Sequence, residues 1–315
     1  MLSTSLSSKP SASSTASSKP PALGLLLALA RELRPKQWLK NGLVFLGLIY
    51  SLHLGDPTSL TRALVAFASF CCLSSAGYIF NDFRDIEADR LHPTKRLRPL
   101  ASGRLPGPWA AGAGIALVAL GAAQAVALGL GFTAACAAYI AVTATYSIWW
   151  KHIVLVDLFA IAAGFVIRVI AGSIAAQVGV SPWLYVCTVL GSLLIAMGKR
   201  RSEVFAMPEL AQALRPALEH YTIEFLDRLI VLVSAAAVMA YSLYTFSAEN
   251  VPKNHAMMLT IPVVLYGVFR YLYLVQMRGI GESPEDLLLG DRSLTIAVAL
   301  FLGMSAGVLY LATAT

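Results

Sequence analysis

Charge is what this sequence is short of. Asp, Glu, Lys and Arg make up 13% of its 315 residues, about half the share of an ordinary soluble domain. A water-soluble globule with so few charges would expose large apolar patches and aggregate, so the soluble classes are excluded. A hydrophobic fraction of 57% excludes disorder over most of the chain. Cysteine is scarce too. Cys71, Cys72, Cys136 and Cys187 all sit in apolar runs without metal-ligand spacing, which excludes a disulfide scaffold and a cysteine-held metal. The five histidines are scattered, and neither a P-loop nor a Gly-x-Gly-x-x-Gly loop is present. The basic residues flank apolar runs and lack an aromatic stacking platform, so a nucleic-acid partner is not expected.

Long apolar runs are what the chain has in quantity. From Leu105 to Trp150, 46 residues pass without a charge. About 20 suffice to cross a bilayer, so this run is two crossings, with Gly129 and Gly131 marking the turn between them. The same reading gives nine spans, near 38–54, 60–80, 108–128, 132–150, 153–176, 182–198, 229–247, 256–276 and 293–314. Continuous Leu/Ala/Val/Ile runs do not alternate as barrel strands must. The fold class is all-α: a polytopic membrane protein of nine transmembrane helices.

Of the 24 Lys and Arg residues, all but three fall on one side of that arrangement. Arg62 and Lys253 lie on the other side, and Arg168 lies within span five. The positive-inside rule then puts the N-terminus in the cytoplasm and the C-terminus outside. Residues 1–22, rich in Ser and Pro, read as a disordered tail, and residues 23–315 as one transmembrane catalytic domain. The apolar stretch 22–30 is too short to span. It reads as an amphipathic helix on the cytoplasmic surface, with a signal-peptide core ending in Ala28-Leu29-Ala30 as the alternative.

Chemistry-bearing residues gather at the cytoplasmic end of span two, in Asn81-Asp82-Phe83-Arg84-Asp85-Ile86-Glu87-Ala88-Asp89. On a helix, Asp82, Asp85 and Asp89 fall within about 60° of one another. Three carboxylates on one face repel unless a cation lies between them, and hard oxygen ligands of this kind suit Mg²⁺. A solvated acidic helix end is the plainer reading. Against it stands the next segment, His92-Pro93-Thr94-Lys95-Arg96-Leu97-Arg98-Pro99 with Arg104 beyond. Acid beside base is what a magnesium–diphosphate site requires, metal on one part of the anion and Arg or Lys on the rest.

Other polar groups are individually weaker signals. Lys36 and Lys40 stand at the entry of span one, and Tyr146 and Lys151 end span four. Asp157 and Arg168 lie within span five, too far apart along one helix for a direct pair, so each should face a cavity or another helix. Lys199, Arg200 and Glu203 follow span six, as a topogenic loop or as the second half of an anion site. The 282–292 connection reads as a lid over such a site or as a simply capped loop.

The motif Asn81-Asp82-x-x-Asp85-x-x-x-Asp89 after the second of nine spans resembles the UbiA superfamily of intramembrane prenyltransferases. The likeness runs from about residue 25 to the end. Segments 34–41 (RPKQWLKN), 92–99 (HPTKRLRP), 164–172 (GFVIRVIAG), 198–203 (GKRRSE) and 287–292 (LLLGDR) resemble the branch that transfers phosphoribose. The resemblance implies a helical bundle with a cytoplasm-facing cavity. It implies Mg²⁺ on catalytic Asp82, Asp85 and Asp89. The implied reaction moves 5-phosphoribose from phosphoribosyl diphosphate to a polyprenyl (decaprenyl) phosphate, releasing diphosphate. Residues expected to hold substrate are Lys36, Lys40, Asn81, Arg84, Lys95, Arg98, Tyr146, Lys151, Arg168, Lys199, Arg200 and Glu203. Aromatic-acceptor members carry a second Asp-x-x-x-Asp after span six. Here Lys199, Arg200 and Glu203 stand there, which argues against a second carboxylate-held metal and suits an extra phosphate. The alternative is isoprenyl transfer from a polyprenyl diphosphate to an aromatic or other small acceptor. An anion transporter would show inverted repeats, and none is visible. Association into homo-oligomers stays open.

Overall fold

Inside a bilayer no water satisfies backbone N–H and C=O groups, so a spanning segment must bond them internally. The Leu- and Ala-rich runs do so as helices in a computed structural model that describes residues 22–206, 220–249, 251–281 and 283–311. The expected tail, 1–22, lies outside the described residues except for Ala22. In chain order the helices are α1 (Ala22–Glu32), α2 (Leu46–Tyr50), α3 (Pro57–Arg84), α4 (Ile86–Leu91), α5 (Gly107–Leu128) and α6 (Leu130–Ile148). There follow α7 (Val156–Ala176), α8 (Pro182–Ala206), α9 (Ile223–Ser247), α10 (Ile261–Leu272), α11 (Pro284–Gly290) and α12 (Arg292–Leu311). No strand occurs among the described residues.

Seven of these helices, and the continuous segment Ala256–Met277 of which α10 is the middle, are long and apolar enough to cross a membrane, and they coincide with the second to ninth expected spans. Their ends follow local chemistry. Pro57 opens α3, and the Asp56 carboxylate accepts from the backbone N–H of Ser59 at 2.9 Å, capping donors that the first turn leaves free. Gly129, at φ +111°, makes the turn between α5 and α6 that only glycine takes without strain.

The first expected span differs. Instead of one regular helix it is a 3-10 segment, Pro35–Phe45, continued by the short α2. Such long 3-10 runs are uncommon because their hydrogen bonds are poorer. Here the inward-facing residues recur every third position, with Asn41, Val44 and Gly47 all buried, and that period matches three residues per turn. Trp38 Nε1 donates to Ser75 Oγ at 3.0 Å and Asn41 Nδ2 to Ser74 Oγ at 3.2 Å, fastening successive turns to α3. On the other side α7 presses close. A Cβ built on Gly172 would lie 1.9 Å from the Val44 carbonyl oxygen.

Helices α3 and α7 are the most enclosed spans. Around them Val44, Phe70, Leu73, Phe132, Tyr139 and Ala171 pack into one core cluster. A second cluster joins α7, α8, α9 and α11 through Leu158, Met197, Leu226, Ile230 and Leu287. α5, α6, α10 and α12 present apolar side chains outward, among them Ile115, Leu130, Phe269 and Leu300, as lipid-facing helices do. α1 packs Leu25, Ala28 and Leu29 against Leu100, Leu105 and Ile79, leaving Leu23, Leu26 and Leu27 exposed. It is amphipathic, as the sequence suggests.

Candidate active site

Helix α3 ends at Arg84, and the chain bends at Asp85 (φ −100°, ψ 10°) before α4 begins. The expected single face of three carboxylates is therefore split. Asp82 and Asp89 turn toward one another, each almost fully buried. Asp85 points elsewhere and accepts from Lys151 Nζ at 2.8 Å and from Asn81 Nδ2 at 2.9 Å. The bend is what lets one short motif address two directions.

Between Asp82 and Asp89 stands a single nitrogen. Arg98 Nη1 donates to Asp82 Oδ1 at 3.0 Å and to Asp89 Oδ2 at 2.5 Å. Arg34 closes the other side of Asp82, its Nη2 2.6 Å from Oδ1 and bonded also to Oδ2. Arg34 is a non-glycine residue in the left-handed region (φ 52°, ψ 60°) directly before Pro35, a conformation that costs about 1–2 kcal/mol. Strain of that kind survives where the surroundings enforce it. Here the enforcing contacts are the two bonds to Asp82 and the Tyr78 ring, 4.9 Å below the guanidinium.

A further acid lies beside this cluster. Glu32, the last residue of α1, is 1% exposed and lies beside the Asp82 carboxylate and the Leu100 backbone. Burial first, and the neighbouring Asp82 carboxylate second, push its carboxyl up to about 8. Burial also raises Asp89, although Arg98 opposes the shift. Carboxylates held this far from water without enough positive charge favour a cation. The donor set, oxygens of Asp82 and Asp89 around a position now filled by a guanidinium nitrogen, fits a hard divalent ion such as Mg²⁺. Ligand convergence is incomplete without that exchange. Among the described residues no three His, Cys, Asp or Glu side chains already form a metal cage.

The 3-10 segment carries a polar row from this corner into the bundle. With three residues per turn, Arg34, Gln37 and Lys40 lie one above another. Tyr78 Oη donates to Gln37 Oε1 at 3.2 Å, Lys40 Nζ donates to the same oxygen at 2.5 Å, and Gln37 Nε2 bonds Glu285 Oε1. Lys40 Nζ also stands 3.0 Å from Glu285 Oε2. Lys40 and Glu285 then line one end of a cavity of about 400 Å³ whose other walls are almost wholly apolar. From Ile195 to Trp183 the cavity follows about 18 Å of α8. It is flanked by Leu39, Leu43 and Leu46 of the first segment and ends near Tyr50 and Tyr241.

The remaining expected site residues are dispersed. Arg84 is exposed, Lys95 and Lys199 are half-buried, and Lys36 is largely exposed with Asp286 3.6 Å away. Asp157 and Arg168 do not pair, as their spacing requires. Arg168 donates to Asn41 Oδ1 at 2.8 Å, the Gly164 carbonyl at 2.7 Å and Tyr139 Oη at 2.9 Å, with its guanidinium 4.6 Å from the Tyr139 ring. Asp157 accepts from Arg200 Nε at 2.6 Å and Tyr221 Oη at 2.6 Å. Arg200 is wholly buried and also bonds Glu203 and, at 2.7 Å, Tyr146 Oη. Arg200 thus joins Asp157, Glu203 and Tyr146 in one internal network. Sequence reading overlooked Glu32 and Tyr221, and Arg34, Gln37 and Glu285 enter it only as members of the 34–41 and 282–292 segments, without a role of their own. Glu32 left a faint signal, as the one acid of α1.

Residues 42–279 match the model of the UbiA prenyltransferase family. The chain belongs to that family. This UbiA protein is 34% identical to a decaprenyl-phosphate phosphoribosyltransferase of Corynebacterium glutamicum over 88% of its own length and 85% of the relative's. It is 33% identical to the protein of that name in Mycolicibacterium smegmatis, covering 92% and 95% of the two chains. Its fold is shared with a UbiA homologue from Archaeoglobus fulgidus solved with GPP and Mg²⁺. The TM-score is 0.70 at 22% identity, over 90% of this chain and 99% of that one. The UbiA chain is accordingly a membrane-embedded transferase.

Proposed function

We propose that this protein transfers 5-phosphoribose from 5-phosphoribosyl 1-diphosphate to a polyprenyl phosphate such as decaprenyl phosphate. The observation that carries this reading is the junction of two unlike spaces. An acid-and-arginine corner suited to a metal–diphosphate lies at one end of the polar row Arg34–Gln37–Lys40. An apolar cavity suited to an isoprenoid tail begins at the other. The name carried by relatives at about one-third identity agrees.

In the proposed reaction an oxygen of the lipid phosphate bonds to C1 of the ribose as the C1–O bond to diphosphate breaks. The diphosphate leaves with the electron pair. The lipid phosphate is already an anion, so no side chain has to remove a proton. Asp82 and Asp89 are the residues to hold Mg²⁺, which when bound would supply positive charge to the departing diphosphate, while Asp85, on the far side of the bend, positions Lys151. Arg34 and Arg98, released from the carboxylates, bind donor phosphates, with Lys151 and Lys95 at the rim. The apolar cavity takes the first part of the lipid tail and keeps water from the reacting carbon. The charged end of the bundle faces the cytoplasm, since that is where Lys and Arg concentrate.

The test is direct. Purified protein with Mg²⁺, radiolabelled phosphoribosyl diphosphate and decaprenyl phosphate is expected to give lipid-extractable label, and Asp82→Asn to lose it. Consumption of an isoprenyl diphosphate in place of the phosphoribosyl donor would overturn the proposal.

A further inference from the structure

Among the cations of the site, Lys40 alone stands at the boundary between polar row and apolar cavity, and its partner is unusual. Glu285 comes from the far end of the sequence, on the seven-residue α11, and is 2% exposed at the head of an apolar space. Its Oε1 is bonded by Gln37, and its Oε2 is held by the Lys40 ammonium at 3.0 Å. A carboxylate buried at the head of an apolar space is costly unless paired, so Glu285 depends on the Lys40 ammonium, the same cation that an anion entering the cavity would meet first. α11 is otherwise tied to the first segment only by the solvent-exposed pair Lys36–Asp286. Beyond its end, Asp291 is fixed independently to Arg270 at 2.7 Å and caps α12. The helix is thus anchored at its C-terminal end and by Leu287 in the core, while Lys40 holds its first turn.

Building on the function proposed above, we infer that Lys40 binds the phosphate of the lipid acceptor and that Glu285 occupies this place when the lipid is absent. The two anions compete for one ammonium group at the mouth of the cavity. A phosphate monoester with its chain in the apolar space brings more charge and more acceptor oxygens than the carboxylate. Its arrival displaces Glu285, and the first turn of α11 moves off the 3-10 segment with it, Leu287 staying in the core. The acceptor is thereby separated from the donor, whose phosphates are left to Arg34, Arg98 and the metal-holding acids two turns away along the row. Polar headgroup and free phosphate share this chemistry, and only the former also fills the cavity.

Two measurements test the inference. In steady-state transfer assays, Lys40→Gln is expected to raise the KM for decaprenyl phosphate at least tenfold. The isosteric Glu285→Gln is expected to lower it at least threefold. Neither should alter the KM for phosphoribosyl diphosphate by more than twofold. If both substitutions raise the lipid KM, the pair is a structural strut and the inference fails; it fails equally if the donor KM is what moves. The second measurement needs no turnover and no variant. In wild-type protein, hydrogen–deuterium exchange across residues 284–290 is expected to quicken severalfold with decaprenyl phosphate. It should stay unchanged with decaprenol or inorganic phosphate. Slower exchange, or an equal response to decaprenol, overturns the displacement of Glu285. Absence of label transfer in the first assay would instead count against the reaction itself, leaving the exchange result to judge the lipid site.

Discussion

Replacing Arg200 with methionine separates a structural network from a substrate-binding one. Arg200 is wholly buried and bonded to Asp157, Glu203 and Tyr146, with Tyr221 completing the shell of Asp157. Methionine fills similar volume but takes from the buried Asp157 carboxylate its guanidinium partner. Removing one partner of a buried ion pair costs about 3–5 kcal/mol, because the remaining charge stays desolvated. At about 2 °C per kcal/mol for a chain of this size, the apparent melting temperature in detergent should fall by roughly 6–10 °C. Replacing the whole charged set is often neutral. The triple variant Asp157→Asn, Arg200→Met, Glu203→Gln should therefore recover most of the loss. Thermal unfolding followed by size-exclusion fluorescence reads both quantities. The reasoning is refuted if Arg200→Met melts like the parent while the KM for phosphoribosyl diphosphate rises tenfold or more. That pattern would make Arg200 a phosphate ligand. It is equally refuted if the triple variant is less stable than the single one.

Three other outcomes follow from the geometry. Gly172→Ala sets a methyl 1.9 Å from the Val44 carbonyl oxygen, where backbone cannot yield, whereas a Cβ on Gly191 meets nothing within 4 Å. The first should cut the yield of folded protein severalfold, and Gly191→Ala should leave it unchanged. Glu32, whose carboxyl is pushed up to about 8, keeps in the folded state a proton that the unfolded chain has already lost. Stability then falls as pH rises from about 5 to 8. Glu32→Gln should match the parent below pH 5 and melt several degrees higher above pH 8, and equal melting throughout would contradict the assignment. Chelation with EDTA should abolish transfer and added Mg²⁺ restore it. Asp89→Asn should demand at least tenfold more Mg²⁺ for half-maximal rate, with little change in melting temperature.

Most of the bundle could be read in the chain because lipid imposes one rule on every span. Uninterrupted apolar length decides, and eight expected spans coincide with helices. The first span escaped that rule. Its apolar count is right, but the three-residue period of Asn41, Val44 and Gly47 is a packing property of α3 and α7, invisible to a hydropathy count. The acids of the candidate site were legible as a motif because four of their neighbours are close in sequence. Their grouping was not. A helix continued through Asp85 would have put three carboxylates together, whereas the bend at that residue sends Asp85 to Lys151. Glu285 was legible only as part of the 282–292 connection, not as an inward-facing partner of Gln37 and Lys40. Its partner Gln37 is 248 positions away, and nothing in Ser-Pro-Glu-Asp-Leu distinguishes an inward glutamate from a loop acid.

The way charge is matched bears on how such a site handles its substrates. Asp82 and Asp89 are held by Arg34 and Arg98, Asp85 by Lys151, and Glu285 by Lys40. Each cation that the proposed chemistry needs is thus stored on a carboxylate of the protein. A metal–diphosphate brings positive and negative charge together. It can replace guanidinium on the acids while the freed guanidinium moves to the phosphates, so no buried charge is left alone at any stage. Arg168 is the exception, with three neutral acceptors and aromatic faces but no carboxylate among its bonds. A guanidinium that no acid neutralises raises the potential of the surrounding interior. Through Asn41 it is tied to the same 3-10 segment that carries Lys40. That places a fixed positive field behind the end of the cavity at which the proposed lipid phosphate arrives, and does so without offering a second group to which the phosphate could bind in the wrong register.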